Sequence, residues 1–226
     1  MTAVQTPATQ LEAKDFFRTA YENRYTWDEN FPGYSADVTY KCGDAEFHGQ
    51  AKVVPDPRMG FAGEVNGIED EAVLKAVQGQ LWEIAVHRVR RPFEKTHANN
   101  SFSYGETKAN GAVELLMGGK AEGDRYEVTD KGQGNEVTLV HRHMHGTVVT
   151  IHTQSSHDTG EGYLSHEYDS VYADPKTGEP TSGVSLFVDE YEKVEGYHIL
   201  NRRSIAPQDG SAPAAEFIFT HIELLK

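Results

Sequence analysis

From Thr96 to Lys226 no stretch of the sequence carries helical periodicity. Short segments rich in Val, Ile, Tyr, Phe and Thr alternate instead with turn signals. The signals fall at Asn110-Gly111, Gly118-Gly119, Lys131 to Gly134, Asp174 to Pro180, Glu195-Gly196 and Gln208 to Pro213. This predicts an antiparallel meander and excludes α/β and all-helical folds. Upstream, Ala36 to Tyr40 and Glu46 to Val54 alternate apolar residues around Gly43-Asp44, which reads as a hairpin. Together these segments give roughly eight to ten strands, an amount of sheet that must curl or close to hide its edges.

Two helices precede the meander. Thr9 and Glu12 form a capping-box pattern, and Leu11, Phe16, Phe17, Ala20 and Tyr21 recur at helical spacing, predicting a helix over 10–24. A second is predicted over 69–91: Leu74, Val77, Leu81, Ile84 and Arg88 share a stripe, acidic residues fill the first turn, and Pro92 stops it. Its last turn takes in the basic cluster His87-Arg88-Val89-Arg90-Arg91, which complements the helix dipole; anion binding is the alternative. The expected fold is therefore α+β and mostly β: a curved antiparallel sheet, half-barrel or barrel-like, with both helices on its concave face. Residues 1–226 are read as one domain with a flexible tail at 1–9.

The net charge of −14 opposes binding to nucleic acid or anionic lipid surfaces. Cys42 is the single cysteine, so no intramolecular disulfide forms. The start, MTAVQTPATQLEAKDFF, lacks a basic and an apolar signal region, and no stretch approaches the roughly 18 apolar residues of a membrane span. The expected location is cytoplasmic, or the plastid stroma if a transit peptide has been removed.

VHRHMHG, Val140 to Gly146, is the most chemically suggestive motif. On one strand His141, His143 and His145 project to the same side, spread over about 13 Å, too far for one tetrahedral ion to take all three. If Gly146-Thr147 is a two-residue hairpin loop, His141 lies opposite His152, and His141, His143 and His152 share a face suited to zinc, iron or copper with an open position. If the strand runs straight through Gly146, His152 points away. Pocket lining and plain solvent exposure are the other readings of these histidines.

GYLSHEYDSVYADPKTGEP places Tyr168 and Tyr172 on one strand face, where their hydroxyls could fix a polar group in a ligand cavity or simply pack across strands. FVDEYEKVEGYHILNRRS reads as strand, tight turn and strand. No H-E-x-x-H, G-x-S-x-G, Walker loop or dinucleotide G-x-G-x-x-G is present, and no residue is assigned as catalytic.

FRTAYENRYTWDENFPGYSADVTY, GDRYEV, VHRHMHG and GEGYLSHEYDSVYADPKTGEP together resemble the uncharacterised DUF3386 family of cyanobacteria and plastids, over nearly the whole chain. That resemblance implies no activity and carries over no site residue. The order of elements, with YEKVEGYHI late in the chain, also resembles the lipoprotein-carrier (LolA-like) half-barrel, an analogy of fold only. The leading expectation is a binding protein for an apolar or amphipathic small molecule such as a lipid or pigment, lined by Leu74, Val77, Leu81 and Ile84 with Trp82 at the rim and Tyr168 and Tyr172 on the sheet. The rivals are a metal-binding protein or metal-dependent enzyme on His141, His143 and His152, and an assembly factor with an exposed apolar face.

Overall fold

The computed structural model describes residues 11–144 and 146–226. Thr9, the 1–9 tail and His145 lie outside them. The elements run α1 (Ala13–Glu22), β1 (Tyr34–Cys42), β2 (Ala45–Asp56), β3 (Gly60–Asn66), α2 (Glu71–Arg88), α3 (Phe93–His97), β4 (Asn100–Thr107), β5 (Val113–Gly119) and β6 (Arg125–Asp130). There follow β7 (Asn135–Met144), β8 (Thr147–Asp158), β9 (Tyr163–Ala173), β10 (Ser185–Val194), β11 (Tyr197–Pro207) and β12 (Ala215–Leu224).

All these strands form one antiparallel sheet in the order β3-β2-β1-β12-β11-β10-β9-β8-β7-β6-β5-β4, and it is not closed into a barrel. The only neighbours not consecutive in sequence are β1 and β12. The edges are therefore β3 and β4, and the chain between them carries α2 and α3. It must cross from one edge to the other over a single face. Laid flat, the sheet would be roughly 50 Å wide at about 4.8 Å per strand. An 18-residue helix such as α2 spans only about 27 Å. Curvature brings the edges within reach of this short crossover.

Two apolar clusters result. The larger gathers Trp27, Phe31 and Tyr34 with Val77, Leu81 and Ile84 of α2 and the inner residues of β1, β2, β11 and β12. The smaller joins Phe17 of α1 and Phe93 of α3 to Leu115, Met117, Tyr126 and Val128. The segment after α1 runs between them: Tyr25 and Tyr163 are linked through hydrogen bonds of the 23–25 backbone to β9, and Trp27 Nε1 donates to the His198 carbonyl at 3.1 Å.

Several expectations are corrected. α1 spans 13–22 rather than 10–24, and α2 spans 71–88 rather than 69–91. Asp70 caps α2 by accepting from the Ala72 and Val73 amides, so Glu69 lies outside. At the other end Val89 turns extended and bridges Trp27, releasing Arg90 and Arg91 from the helix before Pro92 is reached. Pro92 instead precedes α3, a short helix the sequence reading did not contain. The sheet exceeds the expected strand count in part because β3, with Gly60 and Gly63, is poor in strand-forming residues. Gly63 has a structural reason: a Cβ there would meet the Leu81 Cβ at 2.8 Å.

The candidate ligand-binding face beneath helix α2

The stripe expected to line a cavity does face the sheet, but it is packed. Val77, Leu81 and Ile84 are buried in the larger cluster, and Leu74 is half-buried at its margin. α2 packs mainly on the edge strand β3, and its buried residues join the cluster that also holds Ile199 and Leu200 of β11. Trp82 is 52% exposed. At about 100° per residue it points away from the flank that carries Gln80 and Glu83. It rims no pocket on the sheet side.

That other flank reaches over β10 and β11, and there the interface is polar. Asp189 (2% exposed) and Arg203 (4% exposed) stand opposite each other on β10 and β11. Arg203 Nε and Nη2 donate to the two Asp189 oxygens at 2.7 and 2.6 Å. Its Nη1 donates to Gln80 Oε1 at 2.8 Å and lies 3.2 Å from Glu83 Oε1. The fork therefore ties α2 to the sheet with every guanidinium nitrogen engaged, the geometry that makes arginine suited to a buried pair.

Tyrosines extend the network. Tyr168 donates to Asp189 Oδ2 at 3.3 Å, while Tyr191 donates to the Ser165 carbonyl at 2.9 Å and accepts from Arg88 Nη2 at 3.2 Å. Burial pushes the Tyr191 phenol up to about 12 and raises Tyr168 well above the ordinary phenol value, so both remain protonated donors near neutrality. His166 Nδ1 donates to the Asp189 carbonyl at 2.8 Å, and its ring lies 4.4 Å from His157. Burial, then the His166 charge, lowers the His157 pKa.

Beside this network the helix-side face carries rings that stay partly open. Tyr168 stacks on Phe187 at 4.6 Å and 9°, next to half-buried Ile205, and Tyr40 packs on Phe217 at 5.1 Å. Tyr172, on the same face, is 46% exposed. The sequence reading selected Tyr168 and Tyr172 but missed Asp189, Arg203, Gln80, Glu83 and Phe187. The available signal was an acid and a base placed inside apolar, alternating strand segments.

The histidines lie on the opposite face. Met144 pairs with Thr147 and His141 with Thr150, which excludes a straight strand through Gly146 and corrects the expected pairing of His141 with His152. Gly146, at φ +84°, is the second rather than the first residue between the paired positions, so His152 falls opposite Leu139. A shift of two in register preserves the face, and His141, His143 and His152 still share it. They do not converge on an ion. His141 Nδ1 meets Thr150 Oγ1 at 2.8 Å, His143 Nδ1 meets Asp124 at 3.3 Å, and His152 Nδ1 donates to Asp169 at 2.9 Å. Among the described residues no group of three His, Cys, Asp or Glu side chains is placed to hold a metal ion.

Residues 8–225 match the family model described as "Protein of unknown function (DUF3386)". The chain belongs to that family. No curated protein matches it. Among solved structures, it is similar to a Vibrio parahaemolyticus domain assigned to outer-membrane lipoprotein sorting: 8% identity, TM-score 0.37, covering 95% of this chain and 92% of that one. A LolA superfamily protein from Nitrosomonas europaea follows at 7% identity and TM-score 0.32, covering 96% and 95%. A DUF1329 family protein from Desulfovibrio piger is 6% identical at TM-score 0.33, covering 94% and 91%. Likeness this distant carries no inference about ligand or partner. Among the described residues no helix is long and apolar enough to cross a membrane.

Proposed function

We propose that the protein binds an apolar or amphipathic small molecule, of lipid or pigment class, on the helix-side face over β9 to β12, with α2 as a displaceable cover. The observation that carries this reading is the unequal seating of α2. Its apolar residues pack mainly against β3 and into the larger cluster, whereas the flank that reaches over β10 and β11 is tied by the polar contacts of Gln80, Glu83 and Arg88. A helix fixed along one edge and tied polar-to-polar along the other swings more readily than one with a continuous apolar seam. The Tyr168–Phe187 stack and Ile205 beside that seam offer a partly exposed apolar floor. Apolar lining with few convergent polar groups is the usual composition of small-molecule sites.

The test is titration of a dansyl-labelled long-chain fatty acid, read by fluorescence. Saturable one-to-one binding is expected, weakened at least tenfold by Phe187→Asp and several-fold by the milder Phe187→Ala. Leu186→Asp, on the other face of the same strand, is expected to leave it unchanged. Absence of saturable binding to wild-type protein, or equal loss in the Leu186 variant, overturns the reading.

A further inference from the structure

The basic residues beyond α2 are not explained by the helix dipole, because the helix ends at Arg88. Arg90 and Arg91 instead meet Arg24, which follows α1, around a cleft of about 200 Å³ floored by Tyr21, Pro92 and Phe93. The side chains of Arg24 and Arg90 are held by contacts of their own, and Arg91 is held through its backbone. Arg24 Nε donates to the Tyr21 carbonyl at 3.1 Å, and its guanidinium lies 4.2 Å from the Tyr21 ring centroid. Arg90 Nε donates to Thr26 Oγ1 at 3.1 Å. The Arg91 carbonyl accepts from the Tyr21 hydroxyl at 3.1 Å, and the backbone leading to Arg90 and Arg91 is tied down where Trp27 N donates to the Arg88 carbonyl at 2.8 Å.

The chain has 35 acidic residues against 21 basic ones, yet among the described residues none of these three arginines forms an ion pair. Among the described residues Glu22 alone lines the cleft with the opposite sign, which leaves these groups a local charge of about +2. Three like charges gathered on a small, mostly apolar floor repel one another, and an anion that enters relieves that repulsion.

We infer that this cleft is a binding site for a phosphate group, taken by the Arg24, Arg90 and Arg91 guanidiniums over the Tyr21–Phe93 floor. Guanidinium forks match phosphate oxygens in pairs, and three of them suit a tetrahedral oxyanion better than a planar carboxylate. The volume sets the scale: it holds a phosphate with a few attached carbons and falls below the roughly 300 Å³ at which whole drug-sized ligands are enclosed. The phosphate belongs either to a small phosphorylated molecule or to a phospholipid headgroup. The site stands apart from the proposed apolar face, since neither Phe187 nor Tyr168 lines it.

Inorganic phosphate titrated calorimetrically at low ionic strength is the first arm, and flotation with phosphatidylcholine vesicles with or without phosphatidic acid is the second. Arg90→Gln/Arg91→Gln replaces two exposed side chains, and its melting temperature is expected to match wild type. Saturable phosphate binding weakened at least tenfold in this variant supports the site. Flotation that needs both phosphatidic acid and the arginines identifies a headgroup, and phosphate binding without flotation identifies a soluble ligand. Absence of saturable phosphate binding, or equal affinity in the variant, overturns the proposal. Phe187→Asp is expected to leave the phosphate titration unchanged, so failure of the apolar reading and failure of this one are separately visible.

Discussion

One end of the sheet and its middle are covered by different means. Over β4 to β6, α1 and α3 form an aromatic seam: Phe17 lies within 4.7 to 6.3 Å of Tyr21, Phe93, His97, Phe102 and Tyr126, ring centre to ring centre. Over β10 and β11, α2 meets the sheet through a buried ion pair and its hydrogen bonds. Burial of rings is favourable without regard to exact partner geometry, and it resists opening in proportion to area. A buried charge pair is stable only while every partner is in place, so this interface opens as a unit or not at all. Under the proposed function, α1 with α3 is the fixed region and α2 the region expected to move.

The largest expected effect isolates that difference. Asp189→Ala strands Arg203 without its partner and should cost about 3–5 kcal/mol of unfolding free energy. Asp189→Leu/Arg203→Met, which removes both charges, should return to within about 1–2 kcal/mol of wild type. Chemical denaturation of the two variants decides it: equal losses mean the pair acts only as packing volume.

The aromatic end is expected to respond to acid. His97, buried among Phe17, Tyr21, Phe93 and Phe102, has its pKa pushed down to about 4 by burial. Its folded state prefers the neutral ring, so the unfolded chain binds the proton first as pH falls from about 6.5. Stability present above that pH is lost progressively down to about 4, a total on the order of 3 kcal/mol. Denaturation curves collected between pH 7 and 4 should flatten over this window in His97→Phe, and an unchanged slope would place the acid sensitivity elsewhere.

The smallest effect concerns the seat of α2 on the edge strand. Gly63→Ala introduces a Cβ 2.8 Å from the Leu81 Cβ, within the larger apolar cluster. Overpacking there should cost about 1–3 kcal/mol and loosen α2. Hydrogen exchange should then quicken in α2 before α1. Uniform quickening over both helices would erase the proposed distinction between the two regions.

Legibility in the sequence followed the range of the signal. The Val77, Leu81 and Ile84 stripe was readable because it repeats within one helix, and its burial agrees with that period. The VHRHMHG strand was readable as a strand that places alternate histidines on one face, but the partner opposite each histidine was not. That depended on whether Gly146 was first or second in the turn. α3 left no period to detect, since one turn of helix is shorter than the window that reveals one.

By itself the sequence determined a mostly-β antiparallel meander with an amphipathic helix before it, because alternation, helical spacing and turn residues act over a few neighbouring positions. Which arginine becomes buried was decided only in the tertiary structure. A hairpin closing at Glu195-Gly196 pairs Val194 with Tyr197 and Tyr191 with Leu200, and continued without interruption it would set Arg202 opposite Asp189. An irregularity between Glu190 and Tyr191 advances β11 by one residue, so Arg203 takes that place beneath α2 and Arg202 turns to Glu216 at 2.6 Å. A one-residue slip moves a side chain to the other face of a sheet, and its cost or benefit lies in Gln80 and Glu83, more than a hundred residues away along the chain.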